Sequence, residues 1–223
     1  MCGRYTLKTA EEEIAGRFGV EITGQLAPRY NIAPRQQVPV VRLADDGARR
    51  ELAFARWGLV PSWAKDDSIG NRLINARAET VAQKPAFRAA FKSRRCLIIA
   101  DGFYEWAQRD GGPKQPYYFY MKDGRVFAFA GLWERWKGTN GGAVESCAII
   151  TTTANSVLEP IHDRMPVILH EADYDRWLDP DPRRASDLKD LLVPYPAGEM
   201  ASHAVSRLVN TPSNEGPRLI EQR

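Results

Sequence analysis

A cysteine at position 2 directly follows the initiator methionine. Aminopeptidases remove an initiator methionine when the next side chain is small, so we expect the mature chain to begin with Cys2. That residue would carry an α-amine and a thiol on adjacent carbons, with pKa values of about 7.8 and about 8.5. An aldehyde forms an imine with such an amine and then a thiazolidine through sulfur, whereas an acyl carbon is attacked by sulfur alone. Many proteins carry a small residue at position 2 without any chemical role, and this is the commoner explanation of the dipeptide alone.

Three polar side chains alternate with small residues between positions 75 and 79. In an extended segment Asn75, Arg77 and Glu79 point to one face, because successive side chains of a strand alternate. Arg77 can donate two parallel hydrogen bonds to a phosphate, and Asn75 can hold an amine or a sugar hydroxyl. The alternative is an internal ion pair between Arg77 and Glu79.

An acid stands among aromatic rings in Gly102-Phe103-Tyr104-Glu105-Trp106. A carboxylate surrounded by rings loses water, which raises its pKa toward the range that suits proton transfer at neutral pH. Glu105 is therefore the candidate general acid or base. The alternative is a glutamate on an edge strand that faces water.

A histidine adjoins an acid and an arginine in Pro160-Ile161-His162-Asp163-Arg164-Met165-Pro166. His162 can transfer a proton, and Arg164 can hold a phosphate. The alternative is a surface histidine without a chemical role, which would give the same sequence pattern. His170 and His203 have no carboxylate nearby in sequence, and we interpret them as structural.

Indoles near basic residues predict a surface that can stack on unpaired bases. Most of the aromatic residues must belong to the core, and we retain only Trp63 and Trp106 as contact candidates.

The remaining pattern predicts one α+β domain over residues 1–223, with short helices around a largely antiparallel, partly closed β-sheet or barrel. We predict a helix at Glu11–Phe18 with Thr9 as its N-cap, and a loop at residues 28–34. An edge strand is expected around Pro39, which cannot donate to a ladder, and Asp45-Asp46-Gly47 predicts the hairpin turn after it. Apolar runs predict further strands at 49–57, 95–100, 102–106, 117–121, 126–133 and 146–151, and short helices at 171–178 and 187–192.

Composition limits the possible classes of function. The chain has 223 residues, a formal net charge of +3 and three cysteines without C-x-x-C spacing. Cys96 and Cys147 lie in apolar runs and are predicted core residues, so we expect no disulfide, no metal site and no cofactor. No apolar run of about 18 residues occurs, and the start lacks a signal peptide. We therefore expect no membrane partner and a cytoplasmic protein, at the nucleoid in a bacterium or nuclear in a eukaryote.

The charge is unevenly distributed along the chain. Residues 1–100 carry 17 Lys and Arg against 10 Asp and Glu, whereas residues 101–223 carry 14 against 18. The basic half also contains Cys2, which suggests an anionic ligand such as nucleic acid. The alternative is that many of these arginines are simply solvated.

Together these motifs resemble the SOS-response-associated peptidase (SRAP) family, whose members sense abasic sites in single-stranded DNA. The resemblance spans nearly the whole chain, and the motifs that carry it occur in the family's order: Met1-Cys2-Gly3-Arg4-Tyr5, Arg29-Tyr30-Asn31-Ile32-Ala33-Pro34, Trp57-Gly58-Leu59-Val60-Pro61-Ser62-Trp63, Ile74-Asn75-Ala76-Arg77-Ala78-Glu79-Thr80, Gly102-Phe103-Tyr104-Glu105-Trp106, Ile161-His162-Asp163-Arg164-Met165-Pro166 and Val205-Ser206.

The resemblance implies that the mature Cys2 links covalently to the ring-opened aldehyde of an abasic site in single-stranded DNA. By this carry-over Asn75 orients the Cys2 amine, Glu105 moves protons, and His162 assists sugar opening and crosslink reversal. The residues that it assigns to DNA binding are Arg4, Arg77, Arg164, Lys84, Asn31, Pro39, the wedge residue Trp63 and the neighbouring Trp106. A monomer is expected.

Two other classes of function remain open from the residues themselves. An N-terminal-cysteine peptidase or amidohydrolase would use the Cys2 thiolate against an acyl carbon, starting with the bond to Met1, and would need an oxyanion hole. A non-covalent single-strand binding module would use only the arginines, and its retention of DNA would be strongly salt-dependent.

Overall fold

The computed structural model describes residues 2–44, 47, 49–109, 111–138 and 142–223. Two of the three residues of the predicted Asp45-Asp46-Gly47 turn lie outside these ranges. Within the described residues the strands are β1 Tyr5–Leu7, β2 Arg29–Ile32, β3 Gln37–Leu43, β4 Arg50–Trp57, β5 Asn75–Arg77, β6 Arg95–Ala100, β7 Gly102–Arg109, β8 Gly112–Met121, β9 Phe127–Lys137, β10 Ala143–Thr153, β11 Arg164–Pro166, β12 Ile168–Leu169 and β13 Met200–Ala204. The α-helices are α1 Glu11–Phe18, α2 Arg88–Ser93 and α3 Tyr174–Leu178. Short 3₁₀ helices cover Asp67–Arg72, Glu171–Asp173, Pro182–Leu191, Ala197–Glu199, Arg207–Asn210 and Pro217–Leu219.

Five strands close into a barrel. Strand β3 pairs with β4 and β6, β9 pairs with β6 and β10, and a parallel pairing of β10 with β4 completes the ring. All six residues of β6 are buried. Its continuous apolar run is therefore explained by protein packed against both faces of the strand. Gly131 of β9 leaves room for the Ile98 side chain of β6, because a Cβ at position 131 would lie 2.7 Å from that side chain.

A second, antiparallel sheet has the strand order β13-β8-β7-β1-β2. Strand β1 is central to the site because it follows Cys2 and runs between β2 and β7. The buried Asp101 carboxylate fixes the far end of β1, since Oδ1 accepts from the Thr6 hydroxyl (2.6 Å) and Oδ2 accepts from the Lys8 and Thr9 amides (2.5 and 2.9 Å). The predicted α+β class with a largely antiparallel, partly closed sheet is confirmed.

Strand β10 brings two distant segments together at its end. Strand β5 runs parallel to it, with Thr151 opposite Arg77, and β11 runs antiparallel, with Thr153 opposite Arg164. The motifs around residues 75–77 and 162–166 therefore meet at one edge of the barrel, although about 85 residues separate Arg77 from Arg164 in sequence.

Helix α1 spans the predicted residues and buries Ile14 and Phe18. It ends at Gly19, whose φ of 63° lies in the left-handed region that favours glycine. The predicted N-cap is wrong: Ala10 occupies that position without a side-chain hydrogen bond, while the Thr9 hydroxyl donates to Asp101. Among the described residues no helix combines the length and the apolar character needed to span a bilayer.

Two further expectations about the strands are wrong. Residues 29–32 form β2 rather than a loop. Strand β3 is an internal strand of the closed barrel, between β4 and β6, rather than an edge strand, although it contains Pro39. Its register with β6 begins at Val40, so the missing amide of Pro39 falls one residue outside the stretch that pairs on both sides.

Candidate active site and nucleic-acid interface

Cys2 is fully buried, and Asn75 of β5 holds it in place. The Asn75 side-chain nitrogen donates to the Cys2 carbonyl oxygen over 2.7 Å. The Asn75 Oδ1 atom is buried and accepts no hydrogen bond from any residue that the structure describes. Burial raises the pKa of the Cys2 thiol well above its usual range, and the charge of Glu105 raises it further. The thiol therefore stays protonated until a base removes its proton.

Glu105 lies on β7, with only 3 % of its surface exposed. Burial raises the pKa of its carboxyl to about 7, and the positive charge of Lys114 opposes this shift. A carboxyl with this pKa exchanges protons readily at neutral pH. Because the pKa of the Cys2 thiol responds to Glu105, the two groups lie within electrostatic range of each other.

His162 has two neighbours at Nδ1 that require opposite protonation states. The Arg164 backbone amide donates to Nδ1 over 3.0 Å, while an Asp163 carboxylate oxygen lies 2.9 Å from the same atom. The Asp163 side chain is 88 % exposed and solvated, whereas burial lowers the pKa of His162. The Arg164 amide contact therefore sets the tautomer of His162. Because Nδ1 accepts this hydrogen bond, the neutral ring carries its proton on Nε2. Lys114 lowers the pKa of His162 as it lowers that of Glu105, so both groups share its field.

A cleft of about 570 Å³ opens beside Asn75 and is lined by four predicted site residues, Asn75, Arg77, Trp63 and Lys84. The Trp63 indole is 60 % exposed, and its Nε1 donates to the Pro85 carbonyl over 3.4 Å. Trp63 also lines a second cleft of about 330 Å³ with Lys65 and Arg72. An exposed ring between two depressions can stack on or separate unpaired bases.

Arg77 and Arg164 differ in their neighbours. The exposed Arg77 guanidinium makes no hydrogen bond or ion pair to the described part of the chain. Arg164 donates through Nη1 and Nη2 to the two carboxylate oxygens of Glu79, over 2.5 and 3.0 Å. This pairing lowers the pKa of Glu79. The internal partner of Glu79 is thus Arg164, not the Arg77 that the sequence spacing offered as an alternative.

Arg4 and Trp106 meet next to the C-terminal segment. The Arg4 guanidinium donates to Asn31 Oδ1 (2.6 Å) and to the Val209 carbonyl (2.7 Å), and it lies 5.9 Å from the Trp106 ring centre. The Trp106 Nε1 donates to Asn210 Oδ1 over 2.7 Å. The segment of residues 2–4 that precedes β1 thus leads from Cys2, which Asn75 contacts, to Arg4, which lies beside residues 209 and 210.

Two residues predicted to bind DNA are buried instead. Asn31 is fully buried, and its amide donates to the Thr211 and Asn214 carbonyls over 3.0 and 2.9 Å. It therefore positions Arg4 and offers no surface to a ligand. Pro39 is buried within β3, which leaves it little surface for the predicted contact with DNA.

Sequence reasoning gave no role to Lys114, which acts electrostatically on Glu105 and His162. Its position on β8, opposite β7, is a matter of strand register and leaves no local signal. The sequence motifs also predict no role for Asp101, although an acid directly before a buried strand is a detectable signal for a polar anchor. In the described part of the chain no three His, Cys, Asp or Glu side chains are grouped so as to hold a metal ion.

Comparison with known proteins gives a consistent result. The family model described as "SOS response associated peptidase (SRAP)" matches residues 1–212. The chain is 45 % identical to the abasic site processing protein YoqW of Bacillus subtilis (strain 168), over 99 % of both chains. It is 34 % identical to the abasic site processing protein HMCES of Xenopus tropicalis, over 86 % of this chain and 65 % of that one. A crystal structure from Bacteroides thetaiotaomicron superposes with a TM-score of 0.89 at 27 % identity and covers all of both chains.

Proposed function

Because the chain belongs to the SOS response associated peptidase (SRAP) family, we propose that it processes abasic sites in single-stranded DNA. In this proposal the amine and thiol of Cys2, freed by removal of Met1, capture the aldehyde of the opened sugar as a thiazolidine. The trapped strand then stays intact, because ring closure removes the imine that would promote β-elimination.

The contact between Asn75 and Cys2 carries the proposal. Asn75 donates to the Cys2 carbonyl and keeps a buried Oδ1 acceptor that no described residue satisfies. An unsatisfied buried acceptor costs about 1–3 kcal/mol, so it needs a functional reason. The freed α-amine of Cys2 is a donor on the same residue as the carbonyl that Asn75 already contacts. Asn75 can therefore orient this amine toward an aldehyde.

The chemistry follows in three balanced steps. An abasic sugar is mostly a closed hemiacetal. Loss of the C1 hydroxyl proton, cleavage of the bond between C1 and the ring oxygen, and protonation of that ring oxygen give the aldehyde and a free hydroxyl. The Cys2 amine adds to this carbon, and loss of water gives the imine. The sulfur then bonds to the same carbon while the thiol proton passes to the imine nitrogen.

Glu105 and His162 are suited to these proton transfers. The raised pKa of the Cys2 thiol means that sulfur needs a base, and Glu105, with a pKa of about 7, is partly ionised at neutral pH. His162 carries its proton on Nε2 and can donate it to a sugar oxygen. We assign sugar opening and crosslink reversal to His162 and proton transfer at Cys2 to Glu105.

Arg77, Lys84 and Trp63 provide the surface for the strand in this proposal. They line one cleft with Asn75, and they combine cationic groups for phosphates with an exposed ring for a base. Arg4 and Arg164 are assigned to phosphates nearer to the site, and Trp106 packs beside Arg4.

The test uses single-stranded DNA whose uracil has been removed by a glycosylase. We expect wild-type protein to give an adduct that survives heating, and Cys2→Ser and Cys2→Ala to give none, because both keep an amine but lose sulfur. Cys147→Ala, which removes a buried thiol elsewhere, is the matched control. Intact-mass measurement establishes that Met1 is absent from the protein used.

Each alternative predicts a different result. A heat-stable adduct formed by Cys2→Ala contradicts the thiazolidine. Turnover of peptides without DNA supports a hydrolase that uses the Cys2 thiolate. Salt-sensitive retention of DNA without any covalent band, with or without an abasic site, supports a non-covalent binding module.

A further inference from the structure

A cavity of about 670 Å³ lies in the C-terminal segment of the chain. Three exposed arginines line it, Arg207, Arg218 and Arg223, and we call it the C-terminal arginine cavity. Hydroxyl and amide groups of Ser206, Thr211 and Gln222 are also in its wall. The cavity is therefore rich in donors to an anion.

The three guanidinium groups are not paired with any carboxylate of the residues that the structure describes. None of them forms an ion pair within 4.0 Å in the ranges that the structure describes, although Glu221 lies on the cavity wall. Arginine is charged at every physiological pH, so three such groups around one depression repel one another and create a positive potential there. A ligand with several negative charges would relieve this repulsion.

Two hydrogen bonds link the segment that lines the C-terminal arginine cavity to residues of the proposed active site. Arg4 donates to the Val209 carbonyl, and Trp106 donates to Asn210. Both acceptors belong to the 3₁₀ helix Arg207–Asn210, which begins at one of the three arginines. Cys2 thus lies beside one depression, the Asn75 cleft that Trp63, Arg77 and Lys84 also line. Arg4 contacts the helix that borders the other depression, the C-terminal arginine cavity.

We propose that the C-terminal arginine cavity binds backbone phosphates of the DNA strand after the strand has passed Arg4 and Trp106. This inference rests on the proposed function and extends it. The Asn75 cleft takes the strand on one side of the captured sugar, and the arginine cavity takes it on the other. Continuity with Arg4 favours a nucleic-acid phosphate over an isolated anion, because a strand held at Arg4 brings its next phosphates to the cavity.

The experiment compares two triple variants with the same change in charge. The first is Arg207→Gln, Arg218→Gln and Arg223→Gln. The control is Arg176→Gln, Arg183→Gln and Arg184→Gln, whose arginines are also exposed but are paired with Asp190, Asp181 and Asp179. Binding of an intact 15-nucleotide single strand is measured against salt concentration, so that no covalent step is involved.

We expect the first variant to bind this strand at least about tenfold more weakly at low salt, with a salt slope smaller by roughly 2, since each single-strand phosphate contributes about 0.7. The control variant should retain wild-type affinity within about twofold, because its arginines are already neutralised. Equal affinity of the two triple variants overturns the inference.

A second measurement uses two abasic strands of equal length, with the lesion near the 5′ end or near the 3′ end. The first variant should crosslink one of them several-fold more slowly and the other at the wild-type rate. Equal slowing of both strands contradicts a phosphate path on one side of the site.

The two proposals fail separately. Wild-type protein that binds intact strands through these arginines but forms no crosslink refutes capture by Cys2 and leaves the arginine cavity in place. Crosslinking by Cys2 that is independent of the three arginines refutes the arginine cavity as a phosphate site and leaves capture by Cys2 in place.

Discussion

Two surfaces of the molecule each carry three exposed arginines that differ in their neighbours. On the first, which we call the ion-paired surface, Arg176, Arg183 and Arg184 lie 2.8, 2.8 and 2.9 Å from carboxylates of Asp190, Asp181 and Asp179. On the second, the C-terminal arginine cavity, the ion pairs of the described residues include none with these arginines. The number of exposed arginines does not distinguish the two surfaces, whereas the presence of a paired carboxylate among the described residues does.

The acidic groups show the same contrast. Hydrogen bonds from Arg183 lower the pKa of Asp181 to about 2, and those from Arg176 lower the pKa of Asp190. In the proposed active site burial instead raises the pKa of Glu105 to about 7. The ion-paired surface is thus electrostatically satisfied by the fold, while the region around Cys2 retains groups whose charge a substrate can change.

The largest expected effect comes from the group whose pKa is raised. Glu105→Gln should slow crosslinking of an abasic strand by about 100-fold or more, because general acid–base groups contribute about 10²–10⁴. The wild-type rate should also change with pH around 7, and the variant should lack that dependence. Quenched time courses between pH 5.5 and 8.5 measure both.

Glu134→Gln is the matched control for this variant. Glu134 is also buried, but it pairs with Arg94 over 2.7 Å and lies outside the proposed site. Its variant should crosslink at the wild-type rate. A pH profile of Glu105→Gln that is identical to that of the wild type contradicts the assignment of Glu105.

One arginine without an ion pair among the described residues and one ion-paired arginine test the comparison directly. Arg77→Gln should weaken binding of an intact single strand by about fivefold and reduce the salt slope by about 0.7, because one phosphate contact is lost. Arg176→Gln should change neither, because Asp190 neutralises this arginine. Fluorescence anisotropy at several salt concentrations measures both variants. Equal losses in the two would mean that the pairing does not decide which arginines bind DNA.

Glu79 offers the opposite change, because its removal converts a paired arginine into an unpaired one. Glu79→Gln keeps the side-chain shape but removes the negative charge that faces Arg164. Intact single strands should then bind about threefold more tightly, with a steeper salt dependence, since a phosphate no longer competes with a carboxylate. Weaker binding by this variant would show that Glu79 orients Arg164 for the strand instead of competing with it.

The sequence was sufficient where the signal is local. The continuous apolar run Arg95–Ala100 predicts strand β6, and the periodic pattern of Glu11–Phe18 predicts α1, because both depend on neighbouring residues. Short motifs and the family resemblance predict Asn75, Arg77, Trp63 and Lys84 as site residues, and the fold brings them to one cleft. Their roles in binding or catalysis stay predictions.

The sequence was insufficient where a residue's role depends on distant pairing. Asn31 and Pro39 carry no local sign of burial, which follows from contacts with residues 209–214 and from the position of β3 inside the barrel. The pairing of Glu79 with Arg164 spans 85 residues and requires the shared partner β10. The three arginines of the C-terminal cavity are spread over 17 residues without a periodic pattern, so only the folded segment brings them together.

The smallest expected effect is on stability, and its sign follows from the raised pKa of Glu105. The folded carboxyl, with a pKa of about 7, keeps a proton that the unfolded chain loses near a pKa of about 4.3. The stability that this group contributes is therefore complete below about pH 4.3 and is lost as the pH rises through 7. Glu105→Gln has no charge to bury, so its Tm should match the wild type at pH 4 and exceed it by several degrees at pH 8. At this chain length 1 kcal/mol corresponds to about 2–4 °C. A lower Tm for the variant at pH 8 would show that an attractive partner outweighs desolvation, and thermal scans at the two pH values decide between these outcomes.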